Sequence, residues 1–334
     1  MFKYDYLQAK LHGIHSKSVV GDNFNRLKRI TSIEVLRREL FPEDVVSLNE
    51  GQLYTYIENK FKLKIFTQIN YISGFFNDNN QFINNMILRY EIDNVKYLVS
   101  AYFNKRKKVE DFFEVDLKNT LNYREIYASD ISDLKNIKTI LKNTVFEFLI
   151  PLIENNKEIY LIENELDKFY YKSLYDSLKH LSKHECENLK NIIIFEMNWQ
   201  NITWAFRSKL FFKKSFDNIK ETFLNFKELI NIDFLEKIFD LQFVPNEAGA
   251  LFSVYPSKYQ EIILASFNEV GDFDLPLLED NINKELMKLY ARYFYIENFN
   301  ILPVISFIYI KKNEYANVVR LIESIRYNLE LEIA

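Results

Sequence analysis

Apolar residues recur at three- and four-residue intervals along nearly the whole chain, while strict alternation is rare, so the expected fold is all-α. In the first segment Tyr6, Leu7, Leu11 and Ile14 share one helical face. Asp22 or Asn23 offers a cap for a second helix carrying Phe24, Leu27 and Ile30. Thr31 or Ser32, with Glu34, opens a third that carries Ile33, Leu36 and Leu40 and stops near Pro42. A fourth is predicted from Gly51 to Phe66. The stretch from Asp130 to Leu181 reads as two long helices around Pro151, the second with Leu161, Leu166, Phe169, Leu174 and Leu178 as its stripe. Only six glycines and six prolines occur in 334 residues, which leaves few turns and long elements. The breaks fall at 73–80, 244–257 and 271–276, and they are loops within a helical chain rather than flexible linkers.

The same residues exclude several function classes. Lys and Arg number 43 against 47 Asp and Glu, a net charge of −4 that gives no general case for nucleic-acid binding. The basic clusters Lys105-Arg106-Lys107-Lys108 and Lys213-Lys214 suit solvated helix ends, where cations are favoured. The opening Met1-Phe2-Lys3-Tyr4-Asp5-Tyr6 lacks the layout of a signal peptide. The longest apolar run, Ile301 to Ile310, is half what a bilayer span needs and contains Pro303 and Ser306. A chain of this kind is expected to be soluble by itself and to work at a membrane only by holding on to something else.

No chemistry-bearing motif stands out. There is no G-x-x-x-x-G-K-[ST], no G-x-G-x-x-G and no G-x-S-x-G. The single Cys186 rules out an internal disulfide and a four-cysteine zinc site. His180 and His184, at i and i+4 near Cys186 and Glu187, would share a helix face, but the H-E-x-x-H pattern is missing and a polar helix end is the expectation. His12 and His15 read the same way. The carboxylate pairs Glu163/Asp167 and Glu323/Glu330 suit solvated faces, and the aromatic groups Phe206/Phe211/Phe212 and Phe294/Tyr295/Phe299 suit core packing. Catalytic, cofactor-binding and metal-binding residues are therefore all expected to be absent, as is a direct small-molecule substrate.

An internal repeat is the informative feature. Three segments align on Asn94, Asn201 and Asn300, which lie 107 and 99 residues apart. Three positions before each stand Glu91, Asn198 and Glu297, and one position after stand Val95, Ile202 and Ile301. The apolar stripe recurs in phase at Leu98 and Val99, Ala205 and Phe206, Val304 and Ile305. A basic pair closes each copy: Lys105-Arg106, Lys213-Lys214 and Lys311-Lys312. An acid or amide three residues before an Asn lies on the same side of a helix and can bond the backbone of a neighbouring segment. Buried polar pins that fix packing are the expected role.

Asn198-Trp199-Gln200-Asn201-Ile202, followed by Arg207 and Lys209, resembles the acid-x-x-Asn-Ile…Arg-x-Lys pattern of the C-subunit family of V-type ATPases (the d subunit in eukaryotes), whose usual aspartate is Asn198 here. The C-terminal run from Ile308 to Arg320 is similar to that family's helix bearing a basic residue, then Glu314, Asn317 and Arg320. Glu163, Leu166, Asp167, Tyr170 and Tyr171, and the opening Tyr4 to Leu11 with Lys17, resemble two more of its helices. The resemblance implies three pseudo-equivalent helical domains in a funnel around a pseudo-threefold axis, placed approximately at residues 1–125, 126–228 and 229–334. It implies a non-catalytic central-stalk (rotor) subunit at the cytoplasmic face of the membrane, peripheral and held through the membrane ring. The implied partners are the central-shaft subunits of D and F type and the membrane proteolipid c-ring. The alternative reading is an unrelated all-helical repeat adaptor or scaffold.

Overall fold

Side-chain caps from Asn49, Asn122, Asp133, Ser182 and Asn231 open five helices, whereas the expected caps Asp22 and Asn23 lie inside a helix that starts after Val20, and Ser32 precedes its helix without a side-chain cap bond. The computed structural model describes residues 2–329 apart from 77–80, 110, 111, 113, 115, 116, 119, 227, 228, 243 and 299. Among these residues there are sixteen α-helices. They are α1 (Phe2–His15), α2 (Gly21–Leu27), α3 (Ile33–Leu40), α4 (Glu50–Ser73), α5 (Gln81–Phe103), α6 (Tyr123–Ala128), α7 (Leu134–Leu141) and α8 (Ile150–Glu154). Then come α9 (Ile159–Ser177), α10 (Lys183–Leu210), α11 (Phe216–Ile219), α12 (Ile232–Asp240), α13 (Pro245–Phe252), α14 (Ser257–Leu264), α15 (Leu275–Ile296) and α16 (Leu302–Tyr327). The described residues form no strand, only an isolated antiparallel bridge between Phe267 and Phe273. The fold is all-α.

The chain parts into two units, one of residues 1–159 with 290–334, the other of residues 160–289. In the first, α16 packs along α4 and also meets α1, α3 and α5. α4 starts on a capping box, in which the Asn49 side chain accepts from the Gln52 amide and the Gln52 side chain accepts from the Asn49 amide. Its buried residues Leu53, Ile57, Phe61, Ile65, Ile69 and Ile72 form one stripe, which carries the helix two turns past the predicted end at Phe66. α16 is different at its start. Every residue from Ile301 to Lys311 is buried, so this apolar run is a helix enclosed on all sides. Phe307 is fully buried there, and burying such a side chain contributes about 1.5–3 kcal/mol.

In the second unit α10 packs against α12, and α13 against α14. α10 also opens on a capping box, Ser182 with Glu185. Trp199 stacks between Phe252 and Tyr259, with ring centroids at 6.4 and 5.2 Å.

Three expectations change. The stretch 130–158 holds two short helices, α7 and α8, instead of one long one. Asn143 and Asn156 adopt left-handed backbone (φ 61° and 48°), which ends a helix at each. The predicted loop at 244–257 contains α13, because Pro245 sits in its first turn, where the missing N–H costs nothing. Gly249 lies inside α13, where a Cβ would meet Leu264 Cδ2 at 3.2 Å, so the glycine permits the close approach of α14. His180 lies in a 3₁₀ turn before the Ser182 cap and His184 lies in α10, so the two do not share a helix face.

Candidate functional site

The polar pins are buried side chains on long helices, each holding a segment from elsewhere in its own unit. On α5, Glu91 is fully buried. Its Oε1 accepts from the Leu121 amide (2.8 Å), and its Oε2 accepts from the Tyr123 hydroxyl and from Asn94 Nδ2 (3.1 Å). Asn94 Nδ2 also donates to the Tyr123 oxygen at 2.8 Å. Burial pushes the Glu91 carboxyl above its ordinary value, against the donors Tyr123, the Leu121 amide, Asn94 and Thr120.

On α10 the same two positions are amides. Asn198 Oδ1 accepts from the Ile230 amide (2.8 Å), while its Nδ2 donates to the Tyr259 hydroxyl (3.0 Å). Asn201 exchanges both bonds with Leu224: the Leu224 amide donates to Oδ1, and Nδ2 donates to the Leu224 carbonyl, each at 2.8 Å. Burial raises the Tyr259 phenol to about 12, so it stays protonated and able to bond.

The third copy does not lie where the repeat places it. Glu297 and Asn300 fall in the connection between α15 and α16, half-buried and outside any helix. Asn300 Nδ2 donates to Glu297 Oε2 (2.7 Å), and Asn300 Oδ1 accepts from the Leu302 amide (2.9 Å). This is a local cap for the start of α16. Pro303 in the first turn of α16 accounts for it, since its ring suits a helix start and not a helix interior.

Glu314 and Asn317 on α16 occupy the pin geometry instead. The Val19 amide donates to Glu314 Oε1 (2.9 Å), and Asn317 Nδ2 donates to the Val19 carbonyl (3.1 Å). The register agrees: Val318, Leu321 and Ile322 are buried one, four and five residues after Asn317, as Val95, Leu98 and Val99 are after Asn94. The helix ends agree too. Lys105, Lys213 and Asn328 all take left-handed backbone (φ 55°, 48° and 52°), eleven, twelve and eleven residues beyond Asn94, Asn201 and Asn317.

The repeat makes Lys311 half of the basic pair that closes the third copy. Instead it lies in mid-helix, 1% exposed, in an ion pair with Glu314 (2.5 Å), itself 1% exposed, and it also donates to Ser18 Oγ (2.8 Å). Burial lowers the Lys311 ammonium below its ordinary value, and Glu314 opposes that shift. Lys312, Lys105, Arg106 and Lys213 are exposed.

Arg207 is exposed and pairs with Glu279 (2.5 Å), and Arg320 is exposed on α16 one turn past Asn317. Lys209 bonds the Ile238 and Leu241 carbonyls at the end of α12, which places a cation on a helix C-terminus. Phe206 is core, whereas Phe211, Phe212 and Tyr295 are exposed. Phe299 and Glu330 lie outside the described residues. Sequence reasoning misses the segments the pins hold (Val19, Leu121, Leu224 and Ile230) because none carries a side-chain signal: each presents backbone.

Such an arrangement fixes segments onto helices. The hydrogen bonds of the pins run to other parts of the chain itself. Among the described residues no helix is long and apolar enough to cross a membrane.

Comparison with known proteins agrees with the resemblance. Residues 7–333 match the family described as ATP synthase (C/AC39) subunit. The C subunit of the A-type ATP synthase of Methanosarcina acetivorans is 22% identical over 325 residues, covering 94% of this chain and 87% of the relative. Its counterpart of the same name from Methanococcoides burtonii is 22% identical over 339 residues, covering 99% of this chain and 92% of the relative. An unrelated adaptor is thereby set aside. With a match across nearly its whole length, the chain belongs to the ATP synthase (C/AC39) subunit family of A/V-type ATPases.

Proposed function

We propose that the chain is a non-catalytic central-stalk subunit that seats the shaft of a rotary ATPase on its membrane ring. The observation that carries this reading is the family match from residue 7 to residue 333. The two archaeal relatives are, by their names, components of an A-type ATP synthase. The partners here are the D- and F-type shaft subunits on one side and the proteolipid c-ring on the other. The chain sits peripherally at the cytoplasmic face and turns with both.

Torque must pass through this part without slippage. Long helices fixed by buried pins suit that demand, because replacing a pin leaves buried backbone groups unpaired at about 1–3 kcal/mol each. A shaft and a ring of different symmetry cannot be met by one self-complementary apolar seam, so the contacts are numerous and partly polar. One pinned helix (α5, α10 and α16) falls in each of three pseudo-equivalent domains over about 1–125, 126–228 and 229–334 around a pseudo-threefold axis, the second and third pins reaching across those bounds to Ile230 and Val19. The structural pin residues of that arrangement are Glu91/Asn94, Asn198/Asn201 and Glu314/Asn317.

Affinity purification of the tagged chain from gently solubilised host membranes, with mass spectrometry of its companions, tests the reading. Nucleotide-binding, shaft and proteolipid subunits are expected to follow it. Recovery of the chain alone, with an intact motor left in the same extract, would refute it.

A further inference from the structure

The third pin differs from the others in what it holds. Asn94 and Asn201 hold segments about 20–30 residues downstream, whereas Glu314 and Asn317 hold Val19, 295 and 298 residues away in sequence. The N-terminal segment, α1 with residues 16–20, is thus a strap lying on α16 and on the end of α15. Its contacts form a line. Gln8 Nε2 donates to the Glu297 carbonyl (3.2 Å) and to Asn298 Oδ1 (2.5 Å). His12 and His15 pack against Phe294, the first tilted and the second edge-on, with ring centroids at 4.6 and 4.8 Å. Ser18 accepts from Lys311, and Val19 binds Glu314 and Asn317.

His15 is the weak point of that line. Its Nε2 shares a hydrogen bond with the Tyr295 hydroxyl (2.8 Å), but its Nδ1 is buried and has no partner. A neutral ring tolerates this. A protonated ring carries N–H donors at both nitrogens, and the one at Nδ1 would have no acceptor.

The surrounding charges reinforce the penalty. On α16 the buried Lys311 ammonium opposes a second cation, and on α1 His12 does the same. Glu314 favours the cation, but its carboxylate is already engaged by Lys311 and the Val19 amide. From α15 the ring meets Phe294 and both the ring and the hydroxyl of Tyr295. From α4, Lys64 acts on Lys311, and Glu58 is taken up by Tyr315 (3.2 Å). Burial is the largest cause holding the His15 ring below its ordinary value, with Lys311 next.

We propose that the segment from Phe2 to Val20 is a pH-gated clasp, shut on α16 while His15 is neutral and released when His15 takes up a proton. The gate is independent of the assignment to a rotary motor, because it rests on contacts within the chain. The released strap binds the proton more readily than the docked one. The clasp is therefore fully shut above the ordinary histidine value of 6.5 and loosens as pH falls from there through the lowered docked value.

The test is hydrogen exchange of the full-length wild-type chain at pH 7.5 and 5.5, corrected for intrinsic exchange chemistry. Peptides over residues 5–20 and 311–320 should exchange faster at pH 5.5, by up to about tenfold, the ceiling set by the single pH unit between 6.5 and 5.5. Peptides of α10 should not change. In His15→Phe, which keeps a ring against Phe294 and cannot titrate, the difference should vanish. Equal protection of the wild-type strap at both pH values overturns the proposal, and so does an unchanged pH effect in His15→Phe. Histidine ring NMR on the wild-type chain provides a readout that needs no variant. His15 should titrate below the ordinary histidine value of 6.5, and a midpoint at or above that value sinks the proposal.

Discussion

Removing the Glu314 carboxylate should unfold the first unit well below its normal temperature. In Glu314→Ala, Lys311 keeps its 1% exposure but loses its counter-charge, and the Val19 amide loses its acceptor. Breaking a buried pair from one side costs about 3–5 kcal/mol. Proton loss caps the ammonium part: at pH 7 a lysine neutralises at about 1.36 kcal/mol per unit below 10.5, roughly 5 kcal/mol in all. For a unit of about 200 residues each kcal/mol moves the midpoint by about 2–4 °C, so a fall of order 10 °C is expected. Trp199 and Trp204 both lie in the second unit, so tryptophan emission would miss the event, and scanning calorimetry is the assay. The sign with pH is fixed. The variant's unfolded chain binds the Lys311 proton more readily than its folded one, so the deficit should shrink as pH rises toward 10.5. Lys311→Met with Glu314→Leu should recover most of the loss, since an apolar pair of similar volume removes the stranded charge. A cost below about 1 kcal/mol for Glu314→Ala would refute the reasoning, because a buried charge cannot be stranded so cheaply.

Asn201→Ala should cost about 2–4 kcal/mol, since it strands both backbone groups of buried Leu224. Asn300→Ala removes only a cap and should cost about 1 kcal/mol. Urea midpoints, read by tryptophan emission for the first and by circular dichroism for the second, should separate them; equal costs would contradict the reassigned third pin. Glu91, whose folded value is raised, contributes stability that is fully present below its ordinary 4.5 and is lost as pH rises through the folded value. Calorimetric midpoints of the wild type should therefore fall relative to Glu91→Gln between pH 4.5 and 8, and parallel profiles would contradict the burial argument.

Local signals carry much of the fold. The stripes on α3 and α4 are legible because their apolar spacing and their burial coincide, whereas on α1 Leu7 and Leu11 are buried but Tyr6 of the expected face is exposed; the pairs Glu91/Asn94 and Asn198/Asn201 stand in phase on α5 and α10. The third copy is misregistered in the sequence for a physical reason. Asn300 and the apolar residues after it reproduce helical spacing, but Pro303 makes that stretch a helix start, and the equivalent pin lies 17 residues on at Asn317. Glu314, Asn317 and Arg320 stand out by resemblance and not by the repeat. Nothing local marks Lys311 as buried, because its partners Ser18 and Glu314 meet only once the N-terminal segment docks nearly 300 residues away. The breaks at Asn143 and Asn156 are equally hidden, since an asparagine in a helical pattern does not announce left-handed backbone.

Coupling is the central claim, and ATP-driven ion uptake into membrane vesicles from a host lacking this chain measures it most directly. ATP hydrolysis by the peripheral sector should continue while ion uptake is lost, and adding back the wild-type chain should restore uptake. Full ATP-driven uptake in vesicles without the chain would show that shaft and ring are joined by something else.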